Sequence, residues 1–240
     1  MACSGGGSGS GPAHESPKAH KSSTPHESPK ARQAQRPQQD DPNLLRGFRH
    51  WLRTNDTRHD DALAGHTLHI GLDYRAGDRA GAVKVLTDYG PWSEAEGQVG
   101  PLAKAFTQWW DEDPAAASAR FLGQGGKTAK QTTLYDGPKP SNLLEDFRSW
   151  TAENAPNGER LAPHLTALGI GYGFGHGTQG TGAITLSTDY LTYKDHNTQQ
   201  NLDALGDAFA DWWDGDKGAE SVTVTSDDQG SHAGRRLTAP

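Results

Sequence analysis

Apolar positions along the chain switch between a helical and a strand-like period, and they do so twice in the same order. Leu44, Phe48, Trp51 and Leu52 fall on one helix face, as do Leu143, Phe147 and Trp150. Asp41-Pro42 supplies a helix start for the first, and Asn142 followed by Glu145 resembles a capping box for the second. Strict alternation follows. Leu68, Ile70, Leu72 and Tyr74 interleave with His69, Gly71 and Asp73, and Leu168, Ile170, Tyr172 and Phe174 interleave with Gly169, Gly171 and Gly173. Residues 75–81 and 175–182 have turn composition, and the return strands carry Val83 and Val85, then Ile184 and Leu186. A second helix presents Leu102, Phe106 and Trp109, matched by Leu205, Phe209 and Trp212, with Ser93 and Glu96 as a capping box in the first copy. Ala119 with Phe121, and Val222 with Val224, mark a third strand.

These landmarks recur about 100 residues apart and in register, which is the signature of an internal duplication. Asn43-Leu44-Leu45 returns as Asn142-Leu143-Leu144, Thr87-Asp88-Tyr89 as Thr188-Asp189-Tyr190, and Trp109-Trp110-Asp111 as Trp212-Trp213-Asp214. The fold expected is α+β: two tandem α-β-β-α-β modules, each an antiparallel three-stranded sheet covered on one face by two helices, related by a pseudo-twofold axis. The modules could join strand edge to strand edge or pack face to face. The expected organisation is a disordered tether over 1–40, module one over 41–123, and a linker over 124–140. Module two then spans 141–227, and a frayed tail 228–240. Thr132 to Tyr135, inside the linker, reads as an edge strand.

Composition changes the picture mainly at the N-terminus. The 240 residues carry a formal charge of −7, with 32% hydrophobic content and seven tryptophans. Residues 1–39 hold five basic residues against Glu15 and Glu27, so the remainder is acidic. An acidic body argues against nucleic acid as a partner. HESPKA occurs at 14–19 and again at 26–31, in a polar, Pro-punctuated stretch that cannot offset its ordering entropy. No catalytic motif, apolar signal core or membrane-spanning run is present.

The one cysteine is Cys3, within Ala2-Cys3-Ser4 and ahead of a Gly/Ser run. That arrangement resembles a bacterial lipoprotein after removal of its signal peptide. The resemblance implies lipidation at Cys3 and an extracytoplasmic domain held off the membrane by a flexible tether of roughly 35 Å reach.

Several residues are candidates for a site. Trp110 and Trp213 flank the apolar helix stripe and could line an aromatic groove. Asp88-Tyr89 and Asp189-Tyr190 end a strand in each copy, where two carboxylates could face each other across the module interface. Asp111, Asp113, Asp214 and Asp216 follow the tryptophan pairs, as in a loose calcium site. His66, His69 and Asp73 lie on one strand, and Gly169 to Gly177 leaves a strand face bare for a ligand, a backbone or the other module. No cofactor and no metal is expected. The function read from this is a non-enzymatic, membrane-tethered binding protein for an unidentified protein, peptide or small ligand. Two alternatives stand beside it: a hydrolase using Asp88, Asp189 or His69, and an inhibitor or immunity-type protein acting through an acidic face.

Overall fold

A computed structural model describes residues 43–55, 60–90, 92–111, 113–138, 141–173, 182–213 and 219–237. Its elements in chain order are α1 (Leu44–Asn55), α2 (Asp60–His66), β1 (Thr67–Arg75), β2 (Gly81–Thr87), α3 (Trp92–Trp110), β3 (Ala116–Leu122) and β4 (Thr128–Thr133). They continue as α4 (Leu143–Asn154), α5 (Gly158–Leu161), β5 (Leu165–Gly173), β6 (Gly182–Thr188), α6 (Thr198–Trp212), β7 (Ala219–Thr225) and β8 (His232–Arg236). The eight strands form one sheet in the order β4-β3-β2-β1-β5-β6-β7-β8.

This corrects the expectation of two three-stranded antiparallel modules. The sheet is single and mixed: β2 pairs parallel with β3, and β6 parallel with β7. The reason is the intervening helix. A strand, a crossover helix and a second strand beside the first return the chain to its starting end, which imposes parallel pairing. The fourth strand of each half comes from segments expected as linker and tail; the edge strand expected over Thr132 to Tyr135 lies earlier, its first two residues ending β4. β4 reads TAKQTT and β8 reads HAGRR, so neither advertises itself by apolar alternation. Edge strands bury little, and so need little apolar content.

Both helix starts are set by asparagine. Asn43, rather than Asp41, caps α1, accepting the Arg46 backbone N–H on Oδ1 at 3.0 Å. Asn142 caps α4 by accepting from Leu144 and Glu145. Its partner Glu145 does not close a capping box. It accepts instead the N–H of Gly77 at 3.0 Å and pairs with Arg148. Asn142 Nδ2 donates to the carbonyls of Arg75 and Asp78, so the start of α4 also staples the β1–β2 turn.

The core lies between the helices and one face of the sheet. Ile70, Val85, Phe121, Leu168, Leu186 and Val224 are fully covered and belong to one cluster with Phe48, Phe106, Phe147 and Phe209. Phe48 meets Phe106 edge-on at 4.9 Å and Trp109 at 5.1 Å, while Phe147 meets Phe209 at 4.9 Å and Trp212 at 5.1 Å. Each phenylalanine therefore keys one long helix to another above the sheet, in a geometry aromatic rings favour. Phe106→Ala and Phe209→Ala are each expected to cost about 3–5 kcal/mol, through lost burial and the cavity left behind. Urea unfolding measures this, and a loss below about 1 kcal/mol at either position would contradict the assigned core.

Candidate functional site

The structure groups five of the expected residues, His66 among them, with one further histidine, His164, at two separate places. In the first half, Asp88 Oδ1 lies 2.6 Å from His66 Nδ1, and the imidazole stacks on Tyr89 with ring centroids 4.5 Å apart. In the second, Asp189 Oδ1 lies 2.6 Å from His164 Nδ1, and His164 stacks on Tyr190 at 4.2 Å. The backbone N–H of each aspartate also donates to the carbonyl of its histidine, at 3.2 and 3.1 Å. These double contacts clasp the start of one strand to the end of the next. Burial, with the neighbouring aspartate, pushes the Tyr89 phenol up and that of Tyr190 up to about 12.

The two aspartates do not converge. Thr67 sits opposite Thr87, whereas Arg75, at the other end of β1, sits opposite Ala167 near the start of β5. Leu165 in turn sits opposite Thr188. Asp88 and Asp189 are thus at opposite ends of the sheet, about 30 Å apart along the strands. A shared carboxylate pair is excluded by strand direction.

Trp110 and Trp213 line no groove. They are 2% and 6% exposed, stacked on Phe106 at 5.7 Å and Phe209 at 5.4 Å, and belong to the core. Adjacent tryptophans can both be buried here because one lies between helices and the other caps the helix end. Asp214 and Asp216, Phe174, and Cys3 with its arm lie outside the described residues. Among the described residues, no group of three or more His, Cys, Asp or Glu converges on a point that could hold a metal.

His164 was not singled out by sequence, and the reason is a register slip. Aligning Leu68 with Leu168 keeps the apolar face but misplaces the strand by one pleat. The structure makes Ile70, Leu72 and Tyr74 the buried set at 0, 4 and 3%, and Leu168, Ile170 and Tyr172 match it at 0, 4 and 3%. Leu68, at a bulge, is 39% exposed. The correct frame puts His66-Thr67 over His164-Leu165, a histidine just before each strand. A slip of two residues leaves the face unchanged, so alternation alone cannot detect it.

The bare glycine strand is answered by the structure on the side away from the helices. The β1 residues facing that way are His69, Gly71, Asp73 and Arg75, opposite Gly173, Gly171, Gly169 and Ala167 of β5. The His69 ring lies over two of these glycines. A Cβ on Gly71 would come within 3.1 Å of Cε1, and one on Gly171 within 3.0 Å of Nε2. A Cβ on Gly169 would meet only backbone oxygens of Leu72 and Thr185, at 3.8 and 4.0 Å. No described element packs on this face, and Ala183 and Thr185 are exposed there.

Charge divides between the layers. The strands carry Arg75, Lys84, Arg120, Lys130, Arg235 and Arg236 against Asp73 and Glu220. The helices carry more acidic than basic residues, among them Asp203, Asp207 and Asp211 of α6. On the open face Asp73 is the acid nearest the centre, and it is sheathed. Lys84 Nζ lies 2.7 Å and Arg75 Nε 3.6 Å from its Oδ2, leaving the carboxylate side chain 15% exposed.

No protein-family model, curated protein or solved structure matches the chain.

Burial lowers the affinity of His69 for a proton. Its folded-state value therefore lies below the unfolded value of about 6.5, and the unfolded chain binds more protons in the window beneath. The contribution of His69 to stability is complete above that window and lost as pH falls through it. His69→Gln is expected to flatten the fall in stability below about pH 6.5, relative to the parent chain, in urea titrations between pH 5 and 7.5. Parallel curves for the two would show that the ring is freely hydrated.

Proposed function

We propose that this chain is a non-enzymatic binding protein, tethered outside a bacterial membrane through Cys3, that engages a partner on the face of its sheet that no described element covers. The observation that carries the reading is the one-sided architecture. Eight strands span about 34 Å and seven-residue strands about 23 Å, giving a surface close to 800 Å². That is the area one partner contributes to a standard protein–protein interface. Sites for small molecules are concave and apolar, whereas this face is broad and polar. Two-layer packing needs only one face of a sheet for the core, so the other is available for recognition.

The enzymatic alternative loses its main support, because the two carboxylates it would pair stand at opposite ends of the sheet. The His–Asp contacts are better explained as clasps. Each fixes a strand end through a side chain and a backbone bond together, and neither has a nucleophile among its bonded partners. The tether reading rests on the position of the sole cysteine and the Gly/Ser run after it.

A photoreactive benzoylphenylalanine at Thr185, on the open face, is expected to give a discrete crosslinked partner in cells that produce the protein. The same group at Glu153, exposed on α4, should give none. Equal yields from the two positions would refute the face assignment. Intact mass of the membrane fraction should show a lipid-sized increment on Cys3, and a free thiol there would remove the tether.

A further inference from the structure

We infer that the open face takes an acidic polypeptide: a segment or surface whose Asp and Glu carboxylates meet Arg75, Lys84 and Arg120. This rests on the open face being the binding surface, and it goes further by naming the chemistry of the occupant.

The argument begins with placement. In the sheet order β3-β2-β1 the three cations occupy three consecutive strands, and Lys84 is paired directly with Arg120. Ala119 and Phe121 are fully buried on either side of Arg120, so Arg120 projects to the opposite, open side. Arg236, paired with Ser221 beside the buried Val222, projects the same way at the far edge. The acid nearest the three central cations, Asp73, is covered by Lys84 and Arg75, whose side chains are 39% and 63% exposed against its 15%. A molecule approaching this face therefore meets cations first. Two of the three central cations are guanidinium groups, whose planar donors fit a carboxylate in a bidentate fork.

The surroundings select the kind of anion. Gly169 lies opposite Asp73 in the neighbouring strand, with no side chain closing the space above it. A polypeptide backbone can approach there while its carboxylates reach the cations alongside. Beyond it Thr185 is paired with Thr223, a pair of hydroxyls suited to backbone carbonyls. Nucleic acid demands a denser array of phosphate contacts than four cations in a chain of net charge −7. An anionic bilayer would likewise repel the acidic helix layer within a Debye length or two. A second copy of the chain would set one cationic face against another.

The test uses the full chain and a fluorescent poly-L-glutamate of about 20 residues, followed by anisotropy at low and physiological salt. Poly-L-lysine, an oligo-dT of similar length and phosphatidylglycerol-containing vesicles serve as the other probes. Poly-glutamate is expected to bind, and to bind less at the higher salt. Lys84→Glu with Arg120→Glu should weaken it at least tenfold. Lys84→Gln with Arg120→Gln should weaken it less, which guards against misfolding of the reversal variant. Gly169→Ala should weaken binding with little change in the thermal midpoint, since a Cβ there meets only ordinary contacts. Amide NMR should place the shifts on β1, β2, β3 and β5. The inference is overturned if charge reversal leaves binding unchanged, or if oligo-dT or the vesicles bind more tightly than poly-glutamate. Shifts on the open face with poly-lysine alone would overturn the acidic occupant and keep the face. Shifts confined to the helix layer would overturn both.

Discussion

The antiparallel pairing of β1 with β5 is the contact on which the rest of the molecule depends. Seven residue pairs, from His69 with Gly173 to Arg75 with Ala167, join what would otherwise be two four-stranded sheets. A half of roughly 80–90 residues buries a modest core and is marginal alone. Joined, the two halves extend a single layer of buried side chains. The same pairing exposes no new edge at the centre, because β1 and β5 become interior strands. Asn142 and Glu145 reinforce it by binding the β1–β2 turn from the start of α4.

One-sided burial follows from where the long helices fall. α1, α3, α4 and α6 carry the aromatic residues, and these meet the strand residues of one parity only. The parity facing away is short or charged: glycines on β5, threonines and serines on β6 and β7, and His69, Asp73 and Lys84 near the centre. Such residues neither demand cover nor provide a core. The one large ring at the centre of that face, His69, lies along the glycines, where the missing side chains leave room for it. This is why alternate glycines mark β5, and why the strand is bare without being empty.

Much of this was legible in the sequence. The helix stripes through Phe48, Phe106, Phe147 and Phe209 are where the structure puts them, and so are the first two strands of each half. What was not legible has physical causes. Parallel pairing of β2 with β3 depends on where a helix returns the chain, not on any residue in the strands. β4 and β8 are polar because an edge strand has one neighbour and little to bury. An ideal helix turns Trp110 and Trp213 to the flank of the stripe, which left both boundary packing and an aromatic groove open; the rings fold back against Phe106 and Phe209 at the helix ends. His164 was hidden by a two-residue frame shift that alternation cannot sense.

The polar edges have a consequence for assembly. A sheet with two unpaired margins invites further chains to add and so to grow without limit. Here one margin bears Lys130 and the other Arg236, while Arg235 turns onto Asp203 and Asp207 of α6. Lateral stacking of one molecule on the next would press cation against cation, at strand spacing of about 4.8 Å. These charges oppose growth of the ribbon beyond its eight strands, and they belong to the same polar residues that made those strands hard to recognise.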